Sequence, residues 1–209
     1  MQEKSTITSW LTTATNTLKQ ADITSARLDA ELILANTLRK NRTYLHAHLD
    51  EEIDPRRVDI AEARLSLRLD RVPLAYILGK KEFYGREFDV SPSVLVPRPE
   101  SEEMINLLLK LVPRDDQPRT LIDIGTGSGC LGITAALELP DNWHVVLSDI
   151  SPKALLVAEK NAKKLGAKIF TQKQSLLLGQ FEKLDCILAN LPYVDKDWKN
   201  TLSLIHISE

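Results

Sequence analysis

Leu121–Gly132, LIDIGTGSGCLG, constrains the fold more than any other stretch of the chain. Leu121-Ile122-Asp123-Ile124 is an apolar run of strand type, Gly125-Thr126-Gly127-Ser128-Gly129 follows, and an apolar helical pattern runs from Cys130 to Leu139. Strand, glycine turn and helix in that order bring backbone close to a bound nucleotide-like group, because glycines carry no Cβ to stand in the way. The N–H groups at the helix start then face a ligand oxygen or carboxylate. The spacing is G-x-G-x-G; in the G-x-G-x-x-G of dinucleotide-binding loops the third glycine would fall at Cys130. A turn that only packs strand on helix has the same pattern, so the argument turns to two later features.

The first is Asp149, twenty residues past Gly129 and just after the apolar run His144-Val145-Val146-Leu147-Ser148. An acid at the end of a second strand can accept hydrogen bonds from both ribose hydroxyls of an adenosine cofactor. It can equally cap the helix that Pro152 opens, although Ser151 can do that and leave Asp149 free. The second is Asn190-Leu191-Pro192-Tyr193, directly after the apolar strand Asp185-Cys186-Ile187-Leu188-Ala189. Open α/β sheets place ligands at the carboxyl ends of their strands, and an Asn and a Tyr around a proline turn suit such a place. An ordinary Asn-x-Pro loop is the other reading.

In chain order, residues 5–70 read as helices. Ile7, Trp10, Leu11, Ala14 and Leu18 recur at helical spacing, with Thr6 or Thr8 to cap. Ser25 can cap a second helix with Leu28, Leu32, Ala35 and Leu38 as its stripe. Arg42–Leu49 is a short third. Pro55 opens a fourth, striped by Val58, Ala61, Leu65 and Leu69. These stripes fit the core of a small bundle, with Trp10 and Tyr44 as core or half-buried anchors rather than ligand contacts. Val72-Pro73 breaks the pattern, Lys81–Val90 suggests a β-hairpin around Gly85, and Glu100–Leu111 turns helical with Met104, Leu107, Leu108 and Leu111 inward. Arg98 and Glu100 start that helix, either solvated or facing a cleft. The expected alternation is then strand 120–124, helix 129–139, strand 144–148, helix 152–165, strand 168–171 and strand 184–189. That order implies a parallel sheet. Hydrophobic residues at 43% and charged residues at 27% are globular values. A net charge of −2 disfavours a strongly electrostatic nucleic-acid binder. No apolar run has the length of a membrane span, His46 and His48 do not share a helix face, and no metal site is expected. Cys130 and Cys186 read as small core residues, in keeping with a reducing cytoplasm.

D-I-G-T-G-S-G, the distal Asp149 and N-L-P-Y together resemble class I S-adenosylmethionine-dependent methyltransferases, and most of all the protein-glutamine N5-methyltransferases that modify peptide chain release factors. P-L-A-Y-I-L-G, E-F-Y-G and P-R-P-E-S-E within Arg71–Glu102 carry the same resemblance, which covers about residues 5–201. It departs at Leu191, where the family usually has proline, and at Ser175-Leu176-Leu177, where the family often has an acid. The resemblance implies an α/β fold: an N-terminal helical bundle, then a partial Rossmann-like class I methyltransferase sheet. It implies a substrate-recognition domain over residues 1–72, a connector over 73–110 and a partial methyltransferase domain over 111–201. It implies that Gly125, Thr126, Gly127, Ser128, Gly129, Asp149, Leu177 and Asn190 bind S-adenosyl-L-methionine. Asn190, Leu191, Pro192 and Tyr193 would bind the substrate amide, with Asn190 and Tyr193 catalytic.

The implied reaction is methylation of the glutamine amide nitrogen in the Gly-Gly-Gln loop of a release factor, by a cytoplasmic enzyme that is monomeric at full length and engages neither membrane nor nucleic acid directly. A ribosomal-protein glutamine methyltransferase, a DNA or RNA amino-base methyltransferase and an inactive adaptor fragment are the alternatives. The family's sheet has seven strands and this chain supplies four. Leu202–Glu209, LSLIHISE, resembles the translation of a sequencing-library adapter and reads as a scar on a truncated coding sequence, a genuine strand being the other reading. An unpaired edge strand then leads to the expectation of poor expression and little activity.

Overall fold

The first helix starts at Thr6, whose hydroxyl accepts the Ser9 N–H at 3.2 Å while Ser9 Oγ accepts the Thr6 N–H at 2.9 Å. This reciprocal pair satisfies N–H groups that the helix itself leaves open. The structure, a computed structural model, describes residues 5–113, 115–175 and 184–191. These fall into two units: one gathers the residues up to Lys81 with Val90–Pro92, the other Glu82–Asp89 and the residues from Ser93 on.

In the first unit, α1 (Ile7–Gln20), α2 (Ala26–Leu38), α3 (Arg42–Ala47), α4 (Pro55–Leu69) and α5 (Leu74–Leu78) surround one apolar core. Asn41 caps α3 through the Tyr44 N–H at 2.8 Å, and Asp54 caps α4 through the Arg56 N–H at 2.8 Å, just ahead of Pro55. Ser25 makes no side-chain cap: its backbone is already turn-like, at φ −87° and ψ 16°. The expected Leu28 stripe of α2 is also corrected. Leu28 is exposed, whereas Ala35 is buried as expected, together with Ala26, Ala30, Ile33 and Leu34, because α2 packs against α1, α3, α4 and α5 and so buries most of its circumference. That burial takes in Asp29 and Glu31. Asp29 accepts from Arg68 Nε at 2.6 Å, and Glu31 from Arg42 Nη2 at 2.5 Å and Arg27 Nε at 3.1 Å. Buried charges without such partners would be strongly destabilising. Helix α5 starts at Leu74, where the sequence reading has only a break: Pro73 is its N-cap and Gly79, at φ +73°, its stop.

The second unit begins with a hairpin, β1 (Lys80–Phe83, shared across the boundary) and β2 (Arg86–Asp89), then a 3-10 turn (Pro99–Ser101) leading into α6 (Glu102–Leu111). The α/β part follows: β3 (Arg119–Ile124), α7 (Cys130–Glu138), β4 (Trp143–Asp149), α8 (Pro152–Leu165), β5 (Phe170–Lys173) and β6 (Cys186–Ala189). The described strands form a parallel sheet of order β5-β4-β3-β6. The chain winds outward from β3 to β5 and then returns to the other side of β3. The reversal opens a crevice beyond the carboxyl ends of β3 and β6, where sheets of this kind take ligands. The α/β class, a helical bundle followed by a parallel sheet with helices, is as the sequence implies.

Two expectations shift here. The fifth strand runs over Phe170–Lys173, two residues later than 168–171, because its pairing with β4 sets Asp149 level with Lys173. In α6 the buried residues are Ile105 and Leu108, whereas Leu107 and Leu111 are 56% and 71% exposed. The Met104-Leu107-Leu108-Leu111 stripe lies along a groove shared with Trp143 and Ile187, and among the described residues nothing fills it.

Candidate active site

The turn after β3 holds its shape through positive φ at Gly125, Gly127 and Gly129, at +67°, +55° and +82°. L-residues with a side chain rarely adopt those values. Two carboxylates fix it. Asp123, at the end of β3 and 1% exposed, accepts the Thr126 hydroxyl at 2.6 Å and the Gly132 N–H at 3.0 Å on one oxygen. Burial, reinforced by the nearby Asp149 charge, pushes its carboxyl up to about 6. Asp149, at the end of β4, accepts the Gly127 N–H at 3.0 Å through Oδ2 and the Ser151 N–H at 2.8 Å through Oδ1. Asp149 is therefore not free, as the sequence suggests it to be. Ser151 does cap α8, accepting the Ala154 N–H at 3.3 Å, and Asp149 ties the glycine turn to that cap. Each Asp149 oxygen still has acceptor capacity for a ligand hydroxyl.

A third brace comes from α8. Asn161, fully buried, donates to the Ser128 and Asp89 carbonyls at 2.9 Å each and accepts the Asp89 N–H at 2.7 Å. One side chain thus joins the glycine turn to the hairpin. At the end of β6, Asn190 Nδ2 donates to Ser101 Oγ at 2.9 Å, while Asn190 Oδ1 makes no hydrogen bond to the described residues. Leu191 stands over the turn: a Cβ on Gly125 would lie 2.6 Å from Leu191 Cδ2.

These groups border a cavity of about 470 Å³. Gly125, Thr126, Gly127, Ser128, Asp149, Asn190 and Leu191 all line it, and Gly129 lies just behind, where a Cβ would meet Ile133 Cδ1 at 2.5 Å. Leu177, Pro192 and Tyr193 lie outside the described residues. Arg98 is on the rim; Glu100 is exposed and not part of the lining. Sequence reasoning overlooks Asp123, Ser101, Asn161 and Gln174. Asp123 opens the D-I-G-T-G-S-G stretch, but its own role is not legible there, since locally it is one polar residue in an apolar strand. The Ser101–Asn190 bond joins residues far apart in the chain, beyond the reach of local pattern. Cys130 has its thiol pushed up to about 12, first by burial, which makes it no nucleophile at neutral pH. Among the described residues no cluster of His, Cys, Asp and Glu could hold a metal ion.

A parallel sheet that reverses beside a glycine turn, with an acid on the next strand, is the arrangement of a doubly wound α/β domain that takes a nucleotide-like ligand, and class I methyltransferases share it. Family models agree: residues 9–79 match "PrmC N-terminal domain" and residues 102–206 match "Methyltransferase small domain". The chain belongs to the release factor glutamine methyltransferase family. It is 43% identical over 182 residues to the protein of that name from Koribacter versatilis, which covers 85% of this chain and 63% of the relative. It is 36% identical over 199 residues to the one from Leptospira interrogans, covering 93% of this chain and 69% of the relative. The chain thus spans less than two thirds of the Koribacter relative's length. Among solved structures it is similar to a ribosomal protein L11 methylase from Lactobacillus delbrueckii subsp. bulgaricus, at 34% identity and TM-score 0.38, over 45% of this chain and 47% of that one.

Proposed function

We propose that this chain holds S-adenosylmethionine in the cavity at the ends of β3, β4 and β6, and serves methylation of a glutamine side-chain amide nitrogen on a peptide chain release factor. When bound, the cofactor supplies a methyl group on a positively charged sulfur, an activated donor that needs no metal. The donor set fits it. Gly127 leaves the space a Cβ would fill open, with nothing nearer than the Gly125 carbonyl at 4.0 Å. Asp149 offers carboxylate oxygens for two vicinal hydroxyls, and the turn and the start of α7 offer backbone N–H groups to a carboxylate.

One observation carries the substrate side: Asn190 stands beside the glycine turn with Nδ2 donating to Ser101 and Oδ1 without a hydrogen-bond partner among the described residues. An amide nitrogen is a weak nucleophile because its lone pair is delocalised. It reacts when its two N–H groups are held by fixed acceptors and its lone pair is turned toward the donor. Asn190 Oδ1 is one such acceptor, and the backbone carbonyl of residue 191 is a second. Leucine in place of proline at 191 presents the same carbonyl. Ser101 acts through Asn190 by fixing which end of its amide faces the substrate.

The test is transfer of labelled methyl from S-adenosylmethionine in the presence of a release factor, a ribosomal protein or DNA. The expected result is label on the release factor alone, lost when the glutamine of its Gly-Gly-Gln loop becomes alanine. Asn190→Ala should abolish transfer while leaving cofactor affinity within a few-fold, since a lost transition-state contact appears in turnover rather than in binding of the other reactant. Label on DNA or on the ribosomal protein would overturn the assignment.

A further inference from the structure

Asn161 lies in α8, is fully buried and does not line the cavity. The other buried residues of that helix are Ala154, Leu155, Ala158 and Ala162, so an amide among them is unfavourable unless it is hydrogen-bonded. Both of its ends are. Nδ2 donates to the Ser128 and Asp89 carbonyls at 2.9 Å each, and Oδ1 accepts the Asp89 N–H at 2.7 Å. Two of the three bonds anchor the side chain on the hairpin, and the third reaches the glycine turn. The peptide unit between Ser128 and Gly129 is thereby pinned at both ends, because the Gly129 N–H donates to the Thr126 carbonyl at 2.8 Å.

Ser128 lines the cavity and Asn161 does not, so the carbonyl that Asn161 holds is turned away from the ligand space. Released, that carbonyl is a buried acceptor without a partner, and it regains one by rotating toward water in the cavity. Gly129, at φ +82° and without a Cβ, offers little resistance to the rotation. The rotated carbonyl presents the negative end of its dipole beside the place where, on the cofactor reading, a carboxylate is held, and it breaks the Gly129–Thr126 bond at the entry to α7. We propose that Asn161 is a positioning residue for the amino-acid end of the cofactor. Anchored on the hairpin at Asp89, it keeps the Ser128–Gly129 peptide in the orientation that leaves the carboxylate's place free of a competing carbonyl. The inference rests on the cofactor reading of the cavity.

The experiment is calorimetric titration of the wild-type chain and of Asn161→Ala with two ligands. One is S-adenosylhomocysteine; the other is methylthioadenosine, which shares its base, ribose and thioether sulfur but lacks the amino-acid end. Asn161→Ala should bind S-adenosylhomocysteine about ten-fold more weakly, the size of one hydrogen bond, and methylthioadenosine within about two-fold of wild type. A loss of equal size for both ligands would mean that Asn161 only supports the fold, and it overturns the inference, as does unchanged affinity for both. A second measurement needs no variant, and it decides the matter if circular dichroism shows that Asn161→Ala has lost its fold. In the wild-type chain, with each ligand at the same multiple of its dissociation constant, S-adenosylhomocysteine should slow hydrogen exchange at the Asp89 amide more than methylthioadenosine does, because only the former bears on the peptide that Asn161 ties to Asp89. Equal slowing overturns the inference. Failure of the wild-type chain to bind S-adenosylhomocysteine at all overturns the cofactor reading instead, and the inference with it.

Discussion

Asp123, buried at the end of β3, braces the glycine turn through Thr126 and Gly132. Its carboxyl is pushed from 3.8 up to about 6, first by complete burial and despite the Thr126 and Gly132 donors. The folded chain therefore binds this proton more tightly than the unfolded chain. Between about pH 4 and pH 6 the native state carries more protons at this site than the denatured state, so the contribution to stability falls as pH rises through that window and is flat above it. A shift of that size corresponds to on the order of 3 kcal/mol. In Asp123→Asn the side-chain oxygen can keep both hydrogen bonds, and no charge is buried at any pH. We expect the stability difference, variant minus wild type, to grow by on the order of 2–3 kcal/mol from pH 4 to pH 7 in urea unfolding. A difference that stays constant across the range would mean that Asp123 does not titrate on folding. The comparison must be a difference, because the exposed carboxylates give slopes of their own that both proteins share.

At the scale of elements, the glycine turn works because α7 lies very close to the sheet. Gly132 in its first turn makes this possible: a Cβ there would lie 2.2 Å from Leu147 Cδ2 and 2.9 Å from Asp123 Cβ. Helix propensity favours alanine over glycine by about 1 kcal/mol. Leu147 is fully buried and has no room to give, and overpacking of this kind costs about 1–3 kcal/mol. It also disturbs the Gly132 N–H that Asp123 accepts. Gly132→Ala should therefore lose stability, by up to about 2 kcal/mol in chemical denaturation once both effects are summed. A neutral or stabilised variant would show that α7 can lift off β4 at no cost. This case also marks how far the sequence is legible. The strand–turn–helix order is written locally, in apolar runs and glycines, and α8, bounded by Ser151-Pro152 and Gly166, is legible to the residue. The face that α6 buries is not, because its leucines satisfy two apolar surfaces and only packing decides that Ile105 and Leu108 go inside. Helix α5 is too short for a period to show. The site is legible where one strand end carries it, as at Asp149 and Asn190, and hidden where contacts join distant segments, as for Ser101 with Asn190 and Asn161 with Ser128.

For the whole molecule, the decisive fact is that the described residues form two apolar cores and each belongs to one unit. Ile7, Leu18, Ile33 and Leu45 are in the first, and Phe83, Ile105, Leu121 and Leu147 in the second. Every described residue lining the cavity beside the glycine turn belongs to the second unit. No helix among the described residues is long and apolar enough to cross a membrane. A ligand that binds only one folded unit stabilises that unit by mass action, about 2.7 kcal/mol at a hundred-fold excess over its dissociation constant, and contributes nothing to the other. A cavity cut in the opposite core does the reverse: Leu18, fully buried, should cost about 2–5 kcal/mol when replaced by alanine. Scanning calorimetry should then resolve two transitions. S-adenosylhomocysteine should raise the temperature of one and leave the other in place, and Leu18→Ala should lower only the one that the ligand does not move. If a single transition responds to both, the two cores unfold as one cooperative block. Binding at the glycine turn would then be felt throughout the helical unit, and the bundle would have to be counted among the elements that set cofactor affinity.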